Sequence, residues 1–207
     1  MSTPTTEVDI CNLALSLLSN ETITDIKAPT SENEKRCAKW YSQSLQSALS
    51  LHPWNFAKGR FLCPQETAPL FGYSHSFTLP ADYLRLIFIG KTRSDFVTFY
   101  SDFSVEGNSV LLDYDQTGSL PMQYTKNETR VGMFSPWFID VLKYLLALNM
   151  SPEMNRTASE IEILNNQFIQ SLSVAKQLEG QESLPITVTN SKYLTGQNSN
   201  IRINVDG

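Results

Sequence analysis

The chain has 207 residues, 41% of them hydrophobic and 11% aromatic, which is enough to fill a core and excludes disorder throughout. That length suits one compact unit carrying an insertion better than two separate cores. Lys and Arg number 16 against 21 Asp and Glu, a net charge of −5, and this argues against stable DNA binding, which needs several cations on one face.

Residues 1–6 have no positive segment followed by an apolar one, so no secretory signal is expected. Thr6 offers a hydroxyl cap and Asp9 a negative charge to the first turn of a helix running to about Leu18. Ile10, Leu13, Ala14, Leu17 and Leu18 fall at helical spacing and give it one stripe to bury. Residues 20–29 read as a connector ending at Pro29, since the residue before a proline avoids the helical conformation. Ser31 with Glu34 makes a capping box for a second helix that reaches about Leu51. Its buried face is Cys37, Tyr41, Leu45, Ala48 and either Leu49 or Leu51, with Glu32, Lys35, Lys39, Gln43 and Gln46 toward solvent. His52-Pro53 ends it, because proline lacks the amide and clashes with the preceding turn.

From Trp54 to about Met133 short β-prone runs alternate with Gly, Pro, Asn and Asp. Strands are expected at Phe56–Cys63, Ser76–Leu79, Tyr83–Lys91, Phe96–Tyr100, Val110–Tyr114 and Met122–Lys126, with turns at 92–95, 106–108 and 116–118. Trp54 and Phe56, two apart on a strand, face one side. They either plug the end of a helix bundle or, with Lys58 and Arg60 nearby, form a stacking platform for a sugar or base. Leu79-Pro80-Ala81-Asp82-Tyr83 reads as a tight turn entering a buried strand, with Tyr83 and Leu84 on opposite faces. Arg85 either pairs with a carboxylate across the sheet or a subunit boundary, or snorkels at the strand edge.

Ser135 caps a third helix and Pro136 takes its first turn, where a missing amide costs nothing. Trp137, Phe138, Val141, Leu142, Tyr144, Leu145, Leu146 and Leu148 cover most of its circumference, which predicts the most buried helix. Asp140 and Lys143 interrupt it, and it is shorter than the roughly 20 apolar residues of a membrane span. Ser151-Pro152 opens a last helical stretch, irregular around residues 155–157, with Ile161, Leu164, Phe168, Leu172, Ala175 and Leu178 inward and Gly180 as its stop. Beyond Glu182, Ile186, Val188 and Tyr193 and the alternating Ile201, Ile203 and Val205 are candidates for a partner interface by strand addition. The expected fold is α+β: an antiparallel bundle of about four helices (1–53 and 134–182), an inserted small antiparallel sheet or sandwich (54–133) and an extended C-terminal tail (183–207).

Chemical motifs are sparse. Cys11, Cys37 and Cys63 include no Cys-x-x-Cys, and His52 and His75 lack metal-ligand spacing, so buried free thiols in a reducing compartment are expected, with no zinc site. Nucleophile-elbow, HExxH, P-loop and dinucleotide fingerprints are absent from the sequence. The carboxylate pairs Asp113/Asp115 and Glu160/Glu162 read as surface chemistry. No catalytic residue, cofactor or metal is expected, and the chain reads as a non-enzyme.

Five blocks in order carry a resemblance: the helix Ile10–Leu18, the helix end His52-Pro53-Trp54-Asn55-Phe56-Ala57, the strand entry Leu79-Pro80-Ala81-Asp82-Tyr83-Leu84-Arg85-Leu86, the Pro136-Trp137-Phe138 helix and the long final helix. Together they resemble the tail tubular protein A family, the head-to-tail adaptors or gatekeepers of short-tailed bacteriophages. The resemblance extends to about Leu178, and its motif positions are Pro53, Trp54, Phe56, Leu79, Pro80, Asp82 and Tyr83. It implies a helix bundle bearing a β-rich insertion that assembles as a ring, commonly a dodecamer, between the portal protein and the tail nozzle (tubular) protein. Double-stranded DNA passes through such a ring without specific binding, and an acidic balance suits a conduit. The implied location is the neck of the virion tail, reached from the host cytoplasm during assembly, with no membrane contact and no catalysis. The polar C-terminal tail is longer than in some members. The alternative expectation is a tail-associated carbohydrate-binding module using Trp54; for a cell-wall hydrolase the residues supply no acid/base pair.

Overall fold

Three of the four described helices begin at a hydroxyl whose partner acid stands three residues on. In the computed structural model, which describes residues 6–92, 102–113 and 118–182, Thr6 and Asp9 start α1 (Glu7–Leu17). Ser31 and Glu34 start α2 (Glu32–Ser50), and Thr157 and Glu160 start α4 (Ala158–Gln181). Each pair satisfies two otherwise orphaned amides of the first turn. Helix α3 (Pro136–Met150) starts differently. Pro136 lies in its first turn as expected, but the Ser135 hydroxyl makes no capping bond and is buried without a partner. The fixed φ of proline takes over the cap's role of setting the entry angle.

Helix α3 is central to the helical part, packing against α1, α2 and α4. It buries Phe138, Ile139, Val141, Leu142, Leu146, Ala147 and Met150, with Trp137, Tyr144, Leu145 and Leu148 half-buried around them. Helix α1 presents Ile10, Cys11, Ala14, Leu15 and Leu18, so its stripe is rotated from the expected one and leaves Leu13 and Leu17 half-buried. The rotation follows from α1 packing chiefly on α3. Helix α2 buries Leu49 and exposes Leu51. A short 3-10 turn, Ser151–Met154, follows α3, and Asn155 takes the left-handed conformation (φ 51°) before α4. Gly180 does not stop α4, which continues to Gln181 and ends in right-handed geometry at Glu182. The last turn is tied down through Glu179, leaving no left-handed exit for glycine to make.

The described strands are β1 (Lys58–Cys63), β2 (Gln65–Glu66), β3 (His75–Thr78), β4 (Tyr83–Ile89), β5 (Phe103–Glu106), β6 (Ser109–Leu112) and β7 (Leu120–Lys126). They form two small antiparallel sheets, β1-β7-β4 and β2-β3-β6-β5, so the chain is mixed α+β. Phe56 is not on a strand: Asn55–Ala57 make a 3-10 turn and β1 begins at Lys58. Sequence periodicity alone does not announce β2, only two polar residues long, or β5. The expected strand 96–100 and most of the turns at 92–95 and 116–118 lie outside the described residues.

Register decides which side chains share a face. Met122 lies opposite Phe61 and Ile89, and Tyr124 opposite Gly59 and Leu86. This face joins Phe77, Leu79, Val110 and Leu112 in a second apolar cluster, separate from the helical one. The other face of β1-β7-β4 carries Arg60, Leu62, Phe88, Pro121 and Gln123. Pro121 stands near the start of the central strand, where its missing donor matters least, and its carbonyl accepts the Gly90 amide at 2.8 Å.

Candidate functional site

The first motif block closes the end of α2. Once Pro53 has stopped the helix, the Trp54 indole folds back and its Nε1 donates to the Ala48 carbonyl at 2.9 Å, a helix-end acceptor otherwise held only by the longer 3.3 Å bond from the Leu51 amide. The Trp54 ring is fully buried and meets Phe138 edge-on at 4.9 Å, with Phe56 stacked at 6.4 Å. Phe56 in turn packs against Phe134 and Phe138. Of the two expected roles, the bundle plug is the one realised, and burial removes Trp54 as a platform for sugar or base.

Beside Trp54, the backbone N–H of Asn55 donates to Glu179 Oε2 at 2.8 Å, and Trp137 Nε1 donates to Glu179 Oε1 at 2.8 Å. Glu179 is 3% exposed. It stands in the last turn of α4, where the helix dipole disfavours an anion, so its place there depends on those two donors. Burial holds the nearby His52 imidazole below its usual value, against the opposing pull of Glu179.

The second motif block meets the first. Leu79 is buried in the β cluster and the Pro80 carbonyl accepts the Tyr83 amide, closing the turn. Asp82 uses both its groups: its carbonyl accepts from Asn127 N–H at 2.7 Å and its Oδ1 from Tyr124 Oη at 2.8 Å. The Tyr124 ring lies so close over Gly59 that a Cβ there would come within 2.6 Å of the Tyr124 Cζ. Arg85 is exposed on the edge strand and makes no ion pair with a carboxylate among the described residues. Its Nη1 donates to the Ser50 carbonyl at 3.0 Å, so a β4 cation satisfies the negative end of α2. Leu84 packs on the helical cluster while Tyr83 packs on the β cluster, so β4 touches both. Pro53, Trp54, Phe56, Leu79, Pro80, Asp82 and Tyr83 thus build one joint between helices and strands. Glu179, Tyr124 and Gly59 complete it without any local sequence signal, apart from a glycine inside a strand, which marks close approach.

Several other titratable groups have structural work. Cys37 Sγ donates to Met150 Sδ at 3.8 Å in the helical core, and the neighbouring Cys37 together with burial pushes the Cys11 thiol up. Burial raises Cys63 to about 11. Three backbone and hydroxyl donors from Thr30 and Ser31 hold the Glu34 carboxyl at about 2. Glu128, buried between Arg130 (2.7 Å) and Lys126 (2.8 Å), is held at about 2 by both. Glu160 serves the Thr157 cap and Asp113 accepts from Ser74. Among the described residues no group of three or more His, Cys, Asp or Glu is placed to hold a metal ion, and no helix is long and apolar enough to cross a membrane.

Large apolar side chains reach the surface in several places among the described residues. Leu70 is 99% and Phe71 88% exposed in the β2–β3 loop, and Leu62 is 64% exposed on the β1-β7-β4 sheet. Helix α4 also exposes Ile163, Ile169 and Val174. The interface candidates Ile186, Val188, Tyr193, Ile201, Ile203 and Val205 lie outside the described residues. No protein-family model matches the chain, and comparison with curated proteins found no significant match.

Proposed function

We propose that this protein is a structural head-to-tail adaptor of a bacteriophage virion, a ring of copies seated between portal and tail nozzle that conducts and gates DNA. The observation that carries this role is the joint: the two sequence blocks that bear the family resemblance both tie strands to helix ends, Arg85 of β4 to the Ser50 carbonyl of α2 and the Asn55 amide before β1 to Glu179 of α4. A connector that must hold two different partners in register needs its two parts fixed to each other rather than linked by a flexible hinge. The helical part, an antiparallel bundle in this proposal, meets the portal. The β-rich insertion meets the nozzle. The net charge of −5 favours a lumen that DNA passes without adhering. Residues 183–207 would add a strand to a neighbour's sheet edge. The protein turns over no substrate in this role.

The test is imaging of the full chain mixed with the portal protein encoded in the same genome. A ring of added density capping the portal, with twelve copies as the expected number, supports the role. Bare portals beside free protein end it.

A further inference from the structure

The β2–β3 loop, residues 67–74, holds Leu70 and Phe71 away from the rest of the chain. Their exposures of 99% and 88% mean that neither side chain is covered by the described residues of its own copy. The loop is nevertheless anchored at its return. Gly72 takes a left-handed φ of 92°, Tyr73 lies within electrostatic reach of Asp102, and the Ser74 amide and hydroxyl donate to Asp113 Oδ1 at 2.8 and 3.1 Å. Glu66, at the loop's start, accepts hydroxyl bonds from Thr78 and Ser109. Two adjacent large apolar side chains therefore stand on an ordered base that carries three carboxylates.

The complementary shape is on the same molecule. An open hollow of ≈ 270 Å³ on the β1-β7-β4 sheet is lined by Leu62, Phe88 and Pro121 of the outer face, by the partly exposed Phe61, and by two cations, Arg60 and Lys91. A benzene ring fills a cavity of roughly 150 Å³, so this hollow has room for a phenyl ring with an isobutyl group beside it. Knob and hollow also match in charge, acidic base against basic lining, which fixes orientation as well as attraction.

We infer that Leu70 and Phe71 of one copy seat in the β1-β7-β4 hollow of a second copy, with Glu66, Asp102 and Asp113 facing Arg60 and Lys91. Because knob and hollow are different surfaces, the contact is heterologous: every copy offers one of each, and repetition closes a ring or extends a filament. A single such contact buries less than a stable dimer needs and gains strength from closure. As the seam of a ring it rests on the adaptor proposal, whereas as a head-to-tail contact it stands on the two surfaces alone.

The experiment is sedimentation velocity of the full chain with two surface variants, Leu70→Asp/Phe71→Asp and Arg60→Glu/Leu62→Glu, each checked for a wild-type urea transition. The wild type should self-associate as concentration rises to about 100 µM. Each variant alone should associate at least tenfold more weakly. Mixed in equal amounts they should form dimers and nothing larger, because each retains one good surface. A second measurement covers very weak association: Phe71→Cys and Leu62→Cys copies, mixed under oxidant, should form a disulfide-linked pair, since the native thiols are buried. A wild type that stays monomeric with no such pair, or variants that associate like the wild type, would overturn the inference. Self-association without portal capping would keep the contact and remove the adaptor role; capping without a disulfide between the Phe71→Cys and Leu62→Cys copies would do the reverse.

Discussion

Replacing Glu179 by alanine should loosen the joint between α4 and the start of β1. The carboxylate accepts from Asn55 N–H and Trp137 Nε1, both at 2.8 Å. A hydrogen bond to a charged group contributes about 1.5–3 kcal/mol net, and with both donors half-buried the low end applies to each. Removing an anion from the last turn of a helix returns about 0.5 kcal/mol. The expected loss for Glu179→Ala is therefore about 2.5 kcal/mol, a fall in Tm of about 5–10 °C for a chain of this size. Glu179→Gln keeps the shape but offers one acceptor where two donors arrive, so it should cost about half as much. Urea denaturation followed by tryptophan fluorescence gives the free energies, and the Trp137 indole N–H resonance reports the bond directly. An alanine variant within about 0.5 kcal/mol of wild type, or a glutamine variant as damaged as the alanine one, would refute this account of the joint.

Trp54→Ala removes a fully buried indole and its bond to Ala48, and should cost about 3–5 kcal/mol in the same urea experiment; a loss under about 1 kcal/mol would show that Trp54 is not the plug. Gly59→Ala should displace the Tyr124 ring and break its bond to Asp82, destabilising by about 1–3 kcal/mol, and adding Tyr124→Leu should recover part of that loss; strictly additive losses would count against the close approach. Acid should weaken the fold through Glu34 and Glu128, whose folded values of about 2 lie below the ordinary 4.5. A depressed carboxylate contributes stability above its unfolded value, and that contribution is lost as pH falls from about 4.5 through about 2. The acid limb of a stability profile should be shallower in Glu34→Gln, and a limb as steep as the wild type's would contradict it.

Much of the helical part was legible in the sequence. The caps at Thr6 and Ser31, the proline stop at Pro53, the proline start at Pro136 and the inward stripe of α4 all follow from residues within a turn or two of each other. Strand positions were legible wherever β-branched and aromatic runs were long enough, as in β4 and β7, but not in β2, which is polar and exists only because it pairs with β3. The structural role of Trp54 was open, since a buried plug and an exposed platform have the same local sequence.

Three choices belonged to the tertiary structure. Glu179 reads locally as one more acid on a polar helix face, and only the approach of Asn55, 124 positions away, makes it a clamp. Arg85 reads locally as a partner for a carboxylate or as a snorkelling edge residue, and only the approach of the α2 end gives it the Ser50 carbonyl at 3.0 Å. Gly59 and Asp82 gained their connection through Tyr124, 42 positions beyond Asp82. The sequence by itself determined the helix starts and the apolar periodicities, because caps, proline geometry and side-chain spacing act over a few residues. Which face each element buries, and which polar atoms meet across the joint, were decided by packing between distant segments, where the partner is supplied by the fold and leaves no local mark.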